Sequence, residues 1–531
     1  MAKNFYITTP IYYASGRLHL GSASSTCFCD SYKRYKRQMG YDTRFMTGLD
    51  EHGQKVEKKA EEKGLTPQEF TDKLADKAKS LWSYLKCDYD YFIRTTDENH
   101  MKQIQLIFDK MLKKGDIYLG SYDGWYCVSC ETFFTNSEVG DEHICPDCGK
   151  KVSLVKEDSY FFRLSNYSDR LLKFIDEHPD FIKPEGKKNE VVSFIKGGLE
   201  DLSVSRSTFK WGIPLLNDPK HVVYVWLDAL FNYLTALNLC DENNRPLYDK
   251  YWMNGEVVHV VAKDILRFHA IFWPIFLMSI DVPINFTLFC HSWFLMMGEK
   301  MSKSRGNVIY PETFVNRYGL DSFRYYVLRE FPYGTDSICT PIDYISRYNT
   351  DLVNDFGNLV SRSLSMAVKY FDGKVRNVKV ENEYTCDLEN VAKDTIAKYH
   401  QDMNDFKVDK ALEDINKLVS RTNKYIDETA PWALFKEGKM DELESVIYHL
   451  LEAIRIESIL YIPYLIESTP IIFDTLGVDD SEKDLLNITL FKKESYNVVK
   501  LDKALFPREN EPEKAKEEII TDMERQLNNE A

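Results

Sequence analysis

The sequence predicts an α/β protein: a parallel sheet, split by a cysteine-bearing insertion and followed by a helical bundle. Three observations carry this. Near the N-terminus, strand-like and helix-like stretches alternate, with glycines at the joints. Two Cys-x-x-Cys pairs fall where that alternation breaks off. Beyond residue 350, apolar residues recur every three or four positions.

Taken in order, residues 4–8 (Asn-Phe-Tyr-Ile-Thr) read as a strand closed by Pro10. A turn flanked by Gly16 and Gly21 follows, then a helix over residues 24–37. Residues 42–47 read as a second strand ending in a turn at Gly48. Ligands of parallel sheets bind at the carboxyl ends of strands, where both glycine turns are expected. Residues 1–115 thus form the first half of the sheet domain. Turn signals and the cysteine pairs mark 116–221 as an inserted, largely separate module. Val222-Val-Tyr-Val-Trp226 and Val257-Val-His-Val-Val261 read as strands that restore the sheet over 222–290, and a connecting region follows to 350. In the bundle, residues 351–507, one helical stripe is Leu412, Ile415, Val419, Thr422 and Ile426. A second, beyond Pro431, is Leu443, Val446, Ile447, Leu450, Leu451 and Ile454. Packing explains both stripes, and no chemistry is assigned to them. Residues 508–531 hold eight acidic and four basic residues and few large apolar ones, so a solvated tail is expected rather than an amphipathic helix.

The chain has 531 residues, enough for three or four domains of roughly 100–200 residues each. At 44% hydrophobic and 28% charged residues, its composition excludes wholesale disorder, collagen and coiled-coil rods. No signal-type apolar core opens the chain, and the longest apolar stretch, 270–280, is too short to span a bilayer. A cytoplasmic protein without membrane contact is expected. The net charge of −15 removes a general basic field, so nucleic acid would need a local patch; Lys33, Arg34, Lys36 and Arg37 form one candidate. Eleven cysteines, four of them in two close pairs, fit a reducing compartment with one metal site.

That site is Cys127, Cys130, Cys145 and Cys148, with 14 residues between the pairs. Four thiolates at this spacing suit one tetrahedral Zn²⁺ in a closed, structural shell; chance pairing or a redox dithiol is the competing account. In Ser15-Gly-Arg-Leu-His-Leu-Gly-Ser22, a glycine turn would let helix-start amides approach phosphate, with His19 as a further donor, although a lone histidine there is more often structural. Lys300-Met-Ser-Lys-Ser-Arg-Gly-Asn307 holds three cations within six residues, among hydroxyls and a glycine. That reads as a mobile polyphosphate clamp or, taken alone, as a solvated basic loop.

His-Leu-Gly followed far downstream by Lys-Met-Ser-Lys-Ser, on a split parallel sheet, resembles the class I aminoacyl-tRNA synthetases. The methionyl family among them is resembled by Thr8-Thr-Pro-Ile-Tyr-Tyr13, Gly48-Leu-Asp-Glu-His-Gly53, Val225-Trp-Leu-Asp-Ala-Leu230, Lys263-Asp-Ile-Leu-Arg-Phe-His-Ala-Ile-Phe-Trp273 and Glu428-Thr-Ala-Pro-Trp-Ala433. The resemblance runs from about residue 4 to about 507. It implies a Rossmann-type catalytic domain with a zinc knuckle in its insertion and a helical anticodon-binding domain. It also implies ATP and L-methionine as substrates, Mg²⁺ with the ATP, and tRNA(Met) as partner. His19, Gly21, Ser22, Lys300, Ser302 and Lys303 match the ATP-handling positions. Ile11, Tyr13, Asp50, Trp226, Leu230, Tyr233, Ile265, His269 and Trp273 match the methionine pocket, with Asp50 on the substrate ammonium. Asn358, Arg362 and Trp432 match the anticodon contacts. Without the resemblance, the aromatic residues would read as core packing and Trp432 as a helix-start residue.

The pattern breaks in two places. Ser22 stands where the first signature usually ends in a second histidine, and losing a charged donor to the transition state costs on the order of 3 kcal/mol. Ser24 and Ser25 are candidate substitutes. Leu49 replaces a common threonine and is expected to reshape the pocket beside Asp50. The chain also ends about where the anticodon domain should, so a monomer is expected. The sequence therefore favours a methionine–tRNA ligase. The alternatives are a catalytically weakened paralogue that binds tRNA or nucleotide, a class I synthetase for another amino acid, and a zinc-ribbon nucleic-acid module.

Overall fold

Strand Asn4–Thr8 lies within a seven-stranded sheet, between two parallel partners: Asp42–Asp50 on one side and Gly255–Ala262 on the other. Tyr12–Tyr13 and Tyr91–Arg94 add to Asp42–Asp50, and Thr287–His291 and then Ile182–Lys183 extend the other side, all in parallel. Phe5, Tyr6, Ile7 and Thr8 are completely buried, as a strand covered on both faces must be. The chain leaves this strand toward one side and later returns on the other, which opens a crevice at the carboxyl ends. The computed structural model describes residues 3–128, 132–134, 136–146, 149–241, 245–296, 298–300, 308–380 and 382–528. These fall into two units, residues 1–18 with 42–291 and residues 19–41 with 292–531.

In the first unit, three expectations are corrected. Gly48 makes no turn: the strand runs on to Asp50. A Cβ at Gly48 would lie 2.1 Å from the Ile93 carbonyl oxygen, so the glycine serves the close approach of Tyr91–Arg94. Residues 222–226 are not a sheet strand. Val222–Val223 pairs antiparallel with Ser205–Arg206, and Val225–Leu230 is a helix; a short apolar run does not distinguish a strand from a buried helix. The insertion is only partly separate. Ile117–Cys127, Thr132–Phe134, Ser153–Phe162 and Leu202–Ser203 form their own antiparallel sheet. Leu171, Ile175, Val191 and Ile195, however, share one apolar core with Val257, Trp273 and Leu288, and Ile182–Lys183 joins the main sheet.

The second unit takes helix Leu20–Gln38, expected with the sheet. Asp30 accepts from Arg324 Nη2 at 2.6 Å, with both side chains fully buried, and from Arg34 Nε at 2.9 Å. Lys33 is 0% and Lys36 5% exposed, so the expected basic patch is not a surface patch; only Arg37 is open. The helix is buried along most of its length, which carries its cations inside.

The two bundle stripes lie buried on helices Val408–Thr429 and Met440–Tyr461, separated by Pro431–Glu437. The expected solvated tail is instead helix Pro512–Asn528. Ala515, Ile519 and Met523 form its buried stripe, and Arg317 holds Glu509 and Glu518 at 2.8 and 2.6 Å. Three residues at steps of four are stripe enough when the neighbouring surface is apolar. Among the described residues, no helix is long and apolar enough to cross a membrane.

Candidate active site

Three adjacent strand ends supply the first site residues. Asp42–Asp50 ends on Asp50. Asn4–Thr8 runs on through Ile11 to Tyr13, which sits in register beside Asp50, and the Ala14 amide donates to the Asp50 carbonyl at 2.8 Å. Gly255–Ala262 leads into the turn Lys263–Ile265 and then into a wide π-helical turn, Phe268–Phe272, that carries His269. Such turns re-aim side chains and are frequent at functional sites.

Helices Val225–Leu230 and Asn232–Thr235 add Trp226, Leu230 and Tyr233. Trp226 stacks flat on Phe268 at 3.7 Å and meets His269 edge-on at 6.3 Å. His269 Nδ1 lies 2.9 Å from the Ile265 carbonyl, which only accepts, so Nδ1 carries the proton. Nε2 therefore accepts from the Tyr233 hydroxyl, 2.7 Å away. Burial pushes His269 down to about 4, which keeps this pair neutral. Tyr233 also stacks on His259 at 4.1 Å and leans on Trp273 at 5.8 Å. Of the nine residues expected for the methionine pocket, Ile11, Tyr13, Trp226, Leu230, Tyr233, Ile265 and Trp273 belong to the large apolar core of the first unit, His269 bonds to Tyr233, and Asp50 adjoins Tyr13. The chemistry is that of a group of apolar and aromatic side chains with one neutral hydroxyl–imidazole pair and a carboxylate at the neighbouring strand end. Leu49 stands apart from this group: it points to the other face of the strand, against Ala75 and Ala78.

In the second unit, His19 caps helix Leu20–Gln38. The Gly21 amide donates to His19 Nδ1 at 3.1 Å, so the ring proton sits on Nε2. A Cβ on Gly21 would press on the His19 ring at 3.0 Å. Two expectations change here. The Leu20 amide is spent on the Ile309 carbonyl at 2.8 Å and the Gly21 amide on His19, so these helix-start amides do not face a phosphate. Ser24 and Ser25 both donate to the Gly21 carbonyl, at 2.9 and 3.2 Å, so their protons are not substitutes for the missing histidine. Ser22 lies in the first turn of the same helix. The Ile309–Leu20 bond also ties the segment after the second signature to the residue beside His19. Lys300 closes the strand Glu299–Lys300, while Ser302 and Lys303 lie outside the described residues.

Cys127 and Cys145, each 1% exposed, share a small cluster with Phe134, Val139 and Val152. Cys145 begins a tight turn: its amide donates to the Lys150 carbonyl and its carbonyl accepts from Gly149. Cys130 and Cys148 lie outside the described residues. Among the described residues no group of three or more candidate metal ligands is present, and the two buried thiols are the part of the expected zinc set that is described.

In the bundle, Asn358 opens helix Asn358–Phe371 and is exposed. Arg362, one turn on, lies 3.8 Å from Asp427 in the last turn of Val408–Thr429. Trp432, five residues after Asp427, is 51% exposed, more than helix-start packing requires. Tyr370 and Phe435 stack at 4.7 Å and join Asn358–Phe371 to Pro431–Glu437, the helix of Trp432.

Comparison with known proteins is decisive. A family model described as tRNA synthetases class I (M) matches residues 5–154 and 145–364, and one for the anticodon binding domain of methionyl tRNA ligase matches 377–517. The methionine–tRNA ligase of Enterococcus faecalis is 52% identical over 498 residues, 92% of this chain and 74% of the relative. That of Bacillus subtilis is 49% identical over 520 residues, 95% and 78% of the two chains. A Mycobacterium tuberculosis methionyl-tRNA synthetase in complex with methionyl-adenylate superposes with a TM-score of 0.91 at 37% identity, over 95% of this chain and all of that one. The chain belongs to the methionyl-tRNA synthetase family.

For a methionyl-tRNA synthetase, sequence reasoning passed over one group of residues. Asp228 is buried between two buried histidines, His52 and His100, each bonded to one of its carboxylate oxygens. The signal was present: an aspartate inside Val-Trp-Leu-Asp-Ala-Leu, a charge in an apolar helix, needs a partner.

Proposed function

We propose that this chain activates L-methionine with ATP, giving methionyl-adenylate and pyrophosphate, and then transfers methionine to the 3′ end of tRNA(Met). The observation that carries this reading is the neutral Tyr233–His269 pair among aromatic side chains, with Asp50 at the neighbouring strand end. Asp50 holds the substrate ammonium group. Ile11, Tyr13, Trp226, Leu230, Ile265 and Trp273 enclose the thioether, and the Tyr233–His269 pair offers it a polar but uncharged wall.

A methionine carboxylate oxygen attacks the α-phosphorus of ATP in line, and the bond to pyrophosphate breaks. Positioning and charge stabilisation do this work. His19 donates through Nε2–H to a phosphate oxygen, and the Gly21 amide, by bonding Nδ1, fixes that tautomer. Lys300, Ser302 and Lys303 steady the departing pyrophosphate, and Mg²⁺ accompanies ATP as its counter-ion. A ribose hydroxyl of the tRNA terminus then attacks the adenylate carbonyl, and AMP leaves. Asn358, Arg362 and Trp432 receive the anticodon. Cys127, Cys130, Cys145 and Cys148 would hold one Zn²⁺, which would supply folding energy to the knuckle rather than chemistry to the reaction. A cytosolic location fits a thiol-rich chain of this kind.

Exchange of labelled pyrophosphate into ATP tests the activation step. Exchange is expected with methionine and not with isoleucine, leucine, valine or cysteine. Ser22→His measures the cost of the departed histidine: an unchanged rate means that Ser22 is compensated. A folded chain that exchanges with none of these amino acids, in either form, would return the weakened paralogue as the leading account.

A further inference from the structure

We infer that Asp228, clasped between His52 and His100, is a positioning residue that holds the walls of the methionine pocket in register and so sets its selectivity. The inference rests on the pocket reading above.

The clasp joins the strand end that bears Asp50 to two short helices. His52 Nδ1 lies 2.7 Å from Asp228 Oδ2, and His52 stands two residues after Asp50, just past the same strand end. His100 Nε2 lies 2.6 Å from Asp228 Oδ1, while its Nδ1 lies 2.7 Å from Thr235 Oγ1. Asp228 sits between Trp226 and Leu230 on helix Val225–Leu230, and Thr235 lies two residues after Tyr233 on helix Asn232–Thr235. One carboxylate and two imidazoles thus connect the residue that holds the ammonium group to both helices that carry the side-chain walls. Tyr233 extends the connection to His269.

These helices need such an anchor. They are six and four residues long, and neither has a side-chain cap at its start. Helices this short do not hold their own geometry in water, so tertiary bonds must fix them. Asp228 is 1% exposed. Burial pushes its carboxyl up, but the two histidines outweigh burial and hold it below the usual carboxylate range. A buried carboxylate costs stability unless it is fully bonded, and replacing one with an apolar residue is often neutral. Its place here is therefore better explained by geometry than by stability.

The reaction divides the consequences. The bonds of the clasp run to the elements that carry the methionine walls. Loosening it should therefore weaken methionine binding and selectivity while leaving ATP binding intact. Asp228→Ala removes both bonds. Asp228→Asn keeps the shape and one accepting oxygen, and so rescues in part. Thr235→Val removes only the outer bond of His100.

Pyrophosphate exchange on the full chain, varying methionine and ATP in turn, decides the matter. Asp228→Ala should raise KM for methionine about tenfold or more and lower the kcat/KM preference for methionine over leucine by a similar factor. Its KM for ATP should stay within about twofold, because that binding is separate. Asp228→Asn should fall between this variant and wild type, and Thr235→Val should shift KM for methionine about two- to fourfold in the same direction. If Asp228→Ala does not fold, the other two variants decide. Unchanged methionine KM and selectivity in folded variants would overturn the inference, as would an equal rise in both KM values. Lack of methionine-dependent exchange in the wild type would instead overturn the pocket reading, and this inference with it.

Discussion

His269 shows what a single residue contributes and how it is held. A histidine near the substrate invites a charged role, yet its Nδ1–H is committed to the Ile265 carbonyl and its Nε2 accepts from Tyr233. Burial lowers it from 6.5 to about 4, so it stays neutral over the working pH range. Protonation would place a second donor against the Tyr233 hydroxyl. KM for methionine is therefore expected to be flat from pH 6 to 8 and to rise only as the pH falls toward that lowered value. Tyr233→Phe strips the donor and leaves Nε2 unsatisfied in a buried site. That costs about 1–2 kcal/mol, or about 5- to 30-fold in KM for methionine at pH 7. A Tyr233→Phe enzyme with wild-type KM would show the bond to be ornamental to binding. At this scale the residue types were legible in the sequence, because motifs preserve them. Their bonding was not. Gly21, Ser24 and Ser25 read as phosphate-facing or substitute donors, whereas tight local bonds claim all three. Gly48 read as a turn because close approach to Ile93 leaves no trace in a single sequence.

At the scale of elements, legibility followed period and length. The long bundle helices were readable because their stripes repeat over many turns. The run at 222–226 was too short for its period to decide, and a helix followed. Helix Leu20–Gln38 was readable as a helix, but the unit it belongs to was not: Asp30 and Arg324 are 294 residues apart and meet only in the fold. The cysteine knuckle lies between these cases. Its spacing was readable, and the buried pair Cys127 and Cys145 supports it. Among the described residues its buried cluster is small, and a small core is where a metal staple adds most to folding. Metal analysis is expected to find one zinc per chain, and Cys145→Ser should lose it. Limited proteolysis should then cut within residues 128–149 in the variant and in chelator-treated protein, and not in the zinc-loaded wild type, because binding and folding of such sites are one equilibrium. Full zinc content in Cys145→Ser would remove that cysteine from the ligand set.

For the whole molecule, the question is how a chain of net charge −15 engages a polyanion. The run of cations at 33–37 does not supply the answer, since two of its lysines are buried. The exposed indole of Trp432, with Arg362 and Asn358 on neighbouring helices, is suited to splayed bases of an RNA loop. A base stacked on an aromatic ring is worth about 1–3 kcal/mol. Trp432→Ala is therefore expected to raise KM for tRNA(Met) by about 5- to 150-fold in aminoacylation. Methionine-dependent pyrophosphate exchange, which needs no tRNA, should keep its wild-type rate in the same preparation. The pair of assays separates recognition from folding. Parallel loss in both would make Trp432 a structural residue of the bundle. Loss in aminoacylation alone, restored by Trp432→Tyr or Trp432→Phe, would identify the ring face as the binding element, because those rings keep a stacking surface that alanine lacks.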